Sequence, residues 1–165
     1  NIGMSFTLKN PKAVEYLEQY GARLVSKIDQ TTRDGLKKII IQATDEGWGY
    51  GKTSKTIRDM FDGFSAPSPL THIRNRAEFI AVTETGNAYE SAALMQAQAL
   101  QMAGLPMEKS WLITGGNLCD DCQGNADEGW IPLDEPFQSG SDRPLEHPGC
   151  RCSLLTQWAR EGKGQ

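Results

Sequence analysis

The chain has 165 residues, of which 38% are hydrophobic and 23% are charged, a composition typical of a folded globular protein and not of a disordered one. It has no run of about 18 apolar residues, so we expect no transmembrane helix. The net charge of −4 is unevenly distributed: residues 1–76 have 12 Lys+Arg against 8 Asp+Glu, and residues 77–165 have 5 against 13. Only the first half could offer nucleic acid a basic patch, and ordinary solvated helix faces account for that charge more simply.

Three helices are predicted in the first part of the chain. Over 10–28, an Asn-Pro pair suits the N-cap and the first helical position, and apolar residues recur at helical spacing. A second helix is predicted over 31–47, with a threonine as N-cap and Gly47 as its stop. A third, short helix is predicted over 53–63, with Thr or Ser as N-cap.

A long helix followed by short strands is predicted for the rest of the chain. Residues 71–103 contain no proline, are rich in Ala, Gln, Glu and Met, and have one continuous apolar face. Beyond them, short runs with the composition of strands alternate with clusters of Gly, Asn, Asp and Pro. These runs are SWLIT (110–114), GWIPL (129–133) and CSLLTQW (152–158).

This order of elements predicts an α+β fold. We expect a helical body of about four helices over residues 1–106 and a small β lobe over residues 107–158, packed on that body. The last segment, residues 159–165, is polar and is predicted to be a flexible tail.

All four cysteines lie in the predicted lobe, in two tight groups. Cys119 and Cys122 form a Cys-x-x-Cys pair, and His147, Cys150 and Cys152 form His-x-x-Cys-x-Cys. Zinc binds four thiolate or imidazole ligands in a tetrahedron, so the second group offers three ligands for two positions. Because the segment between the groups has few apolar residues, a bound metal would stabilise a lobe with a weak core.

The cysteines could also form disulfides or supply a catalytic thiol. One or two disulfides could form in any of three pairings, but they require an oxidising compartment, and the chain does not open with a signal-peptide pattern. A catalytic thiol with His147 as its base would use one cysteine and leave three without a role. The ligand spacing favours a structural zinc site, without deciding which four of the five candidates bind.

Four segments in order resemble a known phage family. They are RNRAEFIAVTETGNAYESAALMQ (74–96), KSWLITGGNLCDDCQG (109–124), PF (136–137) and HPGCRC (147–152). Together they are similar to the phage Mu F-like head morphogenesis family, the minor head proteins of tailed bacteriophages. The terminal His-Pro-x-Cys-Arg-Cys is the most specific part of this resemblance.

The resemblance implies a virion protein, assembled in the host bacterial cytoplasm, whose partners are the phage portal, capsid and scaffold proteins. Contact with packaged phage DNA is also implied for the family, and neither a membrane nor a small-molecule substrate is expected. An intracellular setting favours bound zinc over disulfides. In the matching helix, Arg76 and Glu84 are eight residues apart and share one face, so we expect a structural polar cluster there.

The predicted function is therefore structural and not enzymatic. The first alternative is a metal- or thiol-dependent nuclease or toxin acting on nucleic acid, which would need a zinc ion with an open position for water. The second is a zinc-ribbon DNA-binding module, which the acidic second half of the chain disfavours.

Overall fold

In a computed structural model the chain forms two compact units, Asn1–Tyr89 and Glu90–Gln165. The residues that the structure describes are 10–22, 25, 29–67, 73–114 and 119–159. Five α-helices and a three-stranded antiparallel sheet occur among them, which confirms the predicted α+β class. No helix in the described part of the chain is long and apolar enough to cross a membrane.

The first unit is helical. α1 packs on α2 and α2 packs on α3, and a fourth helix, α4, begins in this unit and continues into the second. The bounds are Pro11–Tyr20 for α1, Gln30–Glu46 for α2, Tyr50–Met60 for α3 and Arg76–Met102 for α4.

Side chains cap the helices of this unit. The Asn10 side chain accepts a hydrogen bond from the backbone N–H of Ala13 at 3.3 Å, as predicted for an N-cap. α2 is capped by Asp29, whose carboxylate accepts from the N–H of Thr32 at 2.7 Å, so the predicted threonine cap is wrong. Gly47 ends α2 with a φ of 69°, a left-handed conformation that glycine adopts at little cost.

Three helix boundaries differ from the predictions. α1 ends at Tyr20, before a glycine, and positions 23, 24 and 26–28 of the longer predicted helix lie outside the described residues. α3 begins at Tyr50, because the hydroxyl of Thr53 donates back to the carbonyl of Gly49 inside the first turn and does not cap it. α4 begins at Arg76, and predicted positions 71 and 72 lie outside the described residues.

The apolar stripes of these helices are buried in a common core. Each fully buried aliphatic side chain contributes about 1.5–3 kcal/mol relative to an exposed one. The helical members of this core with the smallest exposure are Ala13, Leu17, Leu36, Ile40, Ala43, Ile57, Ala77, Ala81, Val82 and Ala88.

The second unit is built on the small sheet. Its central strand, β1, pairs with both neighbours in antiparallel fashion, so the strand order is β2-β1-β3. The register places Met107 opposite Trp158 and Leu112 opposite Ser153. The bounds are Met107–Leu112 for β1, Asp120–Asp127 for α5, Ile131–Pro132 for β2 and Ser153–Trp158 for β3.

α5 is an element that the sequence analysis missed. Its sequence, DDCQGNAD, contains glycine and no apolar stripe, so it has little helical signal of its own. The helix forms behind Cys119, whose sulfur accepts from the N–H of Cys122 in the way an N-cap side chain does.

The core of the second unit includes three of the four cysteines. Trp111 on β1 packs edge-to-face on Phe137, with ring centroids 5.1 Å apart. Partly buried Ala93 and Leu94, on the second half of α4, pack against the same cluster. Its buried members are Trp111, Cys122, Phe137, Cys150, Cys152 and Leu154.

Candidate metal centre

The two predicted groups of ligands come together around one cysteine. The ligand atoms of Cys119, Cys122 and His147 all lie within 4.8 Å of one another, and so do those of Cys122, Cys150 and Cys152. Cys122 belongs to both sets, so the structure gathers all five predicted candidates in one place, where they could hold a metal ion.

Local backbone geometry presents the sulfurs. At the start of α5, the sulfur of Cys119 accepts from the N–H of Cys122 at 3.3 Å. In the second loop, the sulfur of Cys150 accepts from the N–H of Cys152 at 3.5 Å. Such N–H···S contacts and the positive end of a helix both stabilise a thiolate, which is the form that binds metal.

The spacing of the sulfurs suits a shared ion. Cys122 Sγ and Cys150 Sγ are 3.8 Å apart, although 28 positions separate them in the chain. With zinc–sulfur bonds of about 2.3 Å, two sulfurs of a tetrahedral site lie about 3.8 Å apart. A disulfide needs about 2.05 Å, and all four cysteines are free thiols in this structure.

The electrostatics of the cluster are set by burial and by the contacts among its thiols. Burial raises the pKa of Cys122, and a hydrogen bond with Cys152 together with burial raises the pKa of Cys150. The hydrogen bond with Cys150, aided by the nearby indole N–H of Trp111, lowers the pKa of Cys152 to about 5. Cys122 has side-chain contacts with all three other cysteines, so a cation at this point would neutralise several thiolates at once.

His147 lies on the more exposed side of the cluster. Its Nδ1 is 3.1 Å from the backbone carbonyl oxygen of Pro148. Because a carbonyl oxygen can only accept, Nδ1 carries the hydrogen in this contact, and in the neutral form of the ring Nε2 then has the lone pair. This is the arrangement in which a histidine can ligate a metal or accept a hydrogen bond beside one.

A buried polar network holds the loop between the two cysteine groups. Asn125 on α5 is fully buried, and its amide donates to Ser139 Oγ at 3.0 Å and accepts from the Ser139 backbone N–H at 3.1 Å. Ser139 Oγ also donates to Glu146 at 2.9 Å. The sequence analysis missed these residues, because common polar types in a loop carry no signal until the fold brings them together.

Two further buried charged groups were also missed. The carboxylate of Glu90 on α4 accepts from the N–H of Leu154 at 2.6 Å, two residues after Cys152, and burial raises the pKa of Glu90 to about 7. Lys109 on β1 is fully buried, donates to the Asp142 carbonyl at 2.9 Å, and has its pKa lowered by burial. The neighbouring residues gave no signal for either group: Lys109 stands between Glu108 and Ser110, and Ser91 follows Glu90.

The predicted polar pair on α4, Arg76 and Glu84, belongs to the first unit, whereas the cysteines belong to the second. The guanidinium of Arg76 stacks on the ring of Phe64, 4.8 Å from its centroid. Glu84 is buried, and its carboxylate accepts from the N–H of Ala22 at 3.0 Å. Both side chains therefore tie α4 to other segments of the helical unit.

The donor set fits a structural metal. Sulfur and imidazole are the donor types that zinc prefers in proteins. Cys122, Cys150 and Cys152 are each at most 6% exposed, so the ligands are enclosed by protein. An ion held by four protein ligands has no open position for water and serves folding, not catalysis.

A comparison with known protein families identifies the family of the chain. Residues 34–155 match the family described as phage Mu protein F like protein, which is more than half of the chain. The chain belongs to this family, as its motifs predicted, and the family consists of structural, non-enzymatic proteins of phage head morphogenesis. Membership implies association with other head proteins. Neither the curated proteins nor the solved structures contain a match to the chain.

Proposed function

We propose that this protein is a minor structural component of the phage head whose C-terminal lobe is held in shape by one zinc ion. The ligands in this proposal are Cys119, Cys122, Cys150 and Cys152. The observation that supports it is the convergence of three sulfurs on that of Cys122, with 3.8 Å to Cys150. His147 lies beside two of these sulfurs and is assigned a place just outside the ligand set.

The zinc would supply folding free energy. The segment 123–146 contributes only the two residues of β2 to the sheet, and its fold depends on a few buried side chains such as Phe137. Tying both of its ends to one ion removes much of the conformational freedom of the unfolded chain. The proposal keeps the domain boundaries expected from the sequence, which are a helical body over 1–106, a zinc-binding β lobe over 107–158 and a flexible tail over 159–165.

In the assembled particle, the lobe would present a rigid surface to the portal and to capsid or scaffold proteins, with assembly in the bacterial cytoplasm and the product in the virion. Contact with packaged DNA is assigned to the first half of the chain, which has the positive net charge. What supports these assignments is family membership together with a cluster of cysteines that is enclosed by protein.

Reconstitution with the other head proteins tests this function. The chain is co-expressed with the portal and major capsid proteins of the same phage, and purified particles are analysed for the chain and for zinc. We expect a few copies per particle and one zinc per copy. Particles that exclude the folded, zinc-loaded chain would contradict the proposed role.

The ligand set has its own test. Cys152→Ser should abolish tight zinc binding, because it removes a ligand, whereas His147→Gln should retain one zinc per chain. The reverse result would assign the fourth position to His147.

A further inference from the structure

We propose that an open cavity at the end of the small sheet binds an arginine side chain of a partner head protein. The cavity has a volume of about 450 Å³ and lies entirely within the second unit. It opens where β1 begins and the segment after β3 passes by, away from the cysteine cluster along the strands. The proposal rests on the proposed function only in naming the partner as a head protein.

The lining combines apolar walls with two carboxylates. Glu108 on β1 and Asp134 after β2 provide the charge, and the walls include Pro106, Pro132 and Ala159. Arginine has an apolar stem that packs on such walls and a planar guanidinium that donates to carboxylates. Lysine offers a compact, strongly hydrated charge that matches two carboxylates less well.

Both carboxylates have acceptor capacity left for a ligand. Glu108 Oε2 accepts from the side chain of Gln157 at 3.0 Å, and a carboxylate can accept about four hydrogen bonds. Within the described ranges neither Glu108 nor Asp134 forms an ion pair. Neighbouring Lys109 donates to the Asp142 carbonyl and is also attracted by Asp134, without forming an ion pair with it.

The rim of the cavity has the composition of a protein interface. Trp158 lies directly opposite Met107, a lining residue, and remains 58% exposed. Met102 and Leu105, in the chain segment that leads to the cavity, are also exposed large apolar residues. Exposed tryptophan and methionine around a charged pocket are typical of binding hot spots, and an indole can stack on a guanidinium.

Net charge points to a basic partner and away from a second copy of this chain. Residues 90–165 contain 11 Asp+Glu and 5 Lys+Arg, a net charge of −6. Zinc with four thiolates would add further negative charge. Two copies of this unit would repel each other, whereas a basic segment of another protein would be attracted to it.

The direct test is a titration of the zinc-loaded protein with N-acetyl-arginine methylamide, followed by two-dimensional NMR of the backbone amides. We expect saturable shifts at Met107, Glu108 and Ala159. The citrulline analogue, which has the same shape without the charge, should bind at least ten-fold more weakly. Equal binding of the two compounds, or shifts confined to other parts of the chain, would overturn the proposal.

Matched variants locate the site. Glu108→Gln and Asp134→Asn should each weaken binding of the arginine probe by about ten-fold. Glu135→Gln, an exposed carboxylate next in sequence that does not line the cavity, should bind as the wild type does. Zinc content and melting temperature report whether each variant is folded. Folded Glu108 and Asp134 variants with unchanged affinity would overturn the assignment.

Two further outcomes distinguish the arginine site itself from the identity of its occupant and from the head-protein role. If Arg160→Gln alone shifts the cavity amides and strengthens probe binding, the occupant is the chain's own arginine, and the partner proposal is wrong. If the probe binds as expected and particles nevertheless exclude the chain, the head-protein role fails while the arginine site stands. Loss of the chain from particles in the Glu108→Gln variant, with zinc retained, would support both.

Discussion

The sulfurs of Cys122 and Cys150 lie 3.8 Å apart, although 28 positions separate the two residues in the chain. Both residues are buried in the core of the second unit. Without a cation, that core holds several thiols in contact with one another. The stability of the unit should therefore depend on a metal more strongly than on any one apolar side chain.

The first prediction concerns Cys122, which both ligand groups share. Cys122→Ser should abolish tight zinc binding and lower the melting temperature of the second unit to that of the chelated wild type. Chelator should then have no further effect on the variant. Calorimetry with and without chelator measures this, and a Cys122→Ser protein that still melts in a chelator-dependent way would contradict the assignment.

Trp111 should support the site through its indole N–H. The indole N–H is buried without a hydrogen-bond partner among the described residues, and its proximity helps to lower the pKa of the Cys152 thiol, after the larger effect of Cys150. Trp111→Phe keeps most of the ring and removes the N–H beside Cys152, so we expect zinc affinity to fall by about ten-fold, a size typical of changes to the groups around metal ligands. Competition with a chromophoric chelator measures the affinity, and the control is Trp130→Phe, since Trp130 is exposed.

Asn125 should contribute more to the stability of the protein than its position in a polar helix suggests. Asn125→Ala removes the amide that bonds Ser139 and leaves buried groups without partners, which costs about 2–4 kcal/mol of unfolding free energy. Urea unfolding of the zinc-loaded protein measures this. Gln123→Ala, on the exposed side of the same helix, should change the free energy by less than about 0.5 kcal/mol. Equal effects of the two changes would show that the buried network contributes nothing.

How much of this could be predicted from sequence depends on the range of the interactions involved. Helix periodicity, glycine stops and cysteine spacing are local, so the α+β class, the stop of α2 at Gly47 and the grouping of the candidate ligands followed from the sequence. α5 could not be predicted, because its apolar content is low and its cap is a cysteine sulfur. The burial of Lys109 and the bond of Glu90 to Leu154 arise from tertiary packing, which leaves no mark on neighbouring residues.

Glu90 should make stability depend on pH. Burial raises its pKa from 4.5 to about 7, so the folded state binds the proton more tightly than the unfolded state does. Its contribution to stability is complete below about pH 4.5 and is lost as the pH rises through 7. Glu90→Gln keeps an acceptor for the N–H of Leu154 and removes this loss. Its free energy of unfolding should therefore exceed that of the wild type by about 3 kcal/mol at pH 8 and by about 1 kcal/mol or less at pH 5.

Both proteins have the same four cysteines, so the comparison with wild type reports on this carboxylate together with its coulombic interaction with Cys152. Glu90→Ala removes the acceptor as well, and should be less stable than Glu90→Gln at every pH by about 1–3 kcal/mol. A constant difference between Glu90→Gln and wild type from pH 5 to pH 8 would refute the account of this group.

Lys109 should be replaceable by an apolar residue of its own length. Its ammonium is fully buried, with a backbone carbonyl and the ring of Phe137 as neighbours, so desolvation opposes its charge. Lys109→Met should leave the melting temperature unchanged or raise it, whereas Lys109→Ala should lower stability by about 2–4 kcal/mol through the cavity it leaves. A marked loss in Lys109→Met would mean that the charge itself holds the Asp142 loop.

The zinc content of the protein, measured together with its reactive thiols, tests the central claim most directly. Elemental analysis of the purified, reduced protein should find one zinc per chain, and a thiol reagent should react with the four cysteines only after a chelator is added. A protein without metal, or one whose cysteines are paired as cystine, would contradict the account.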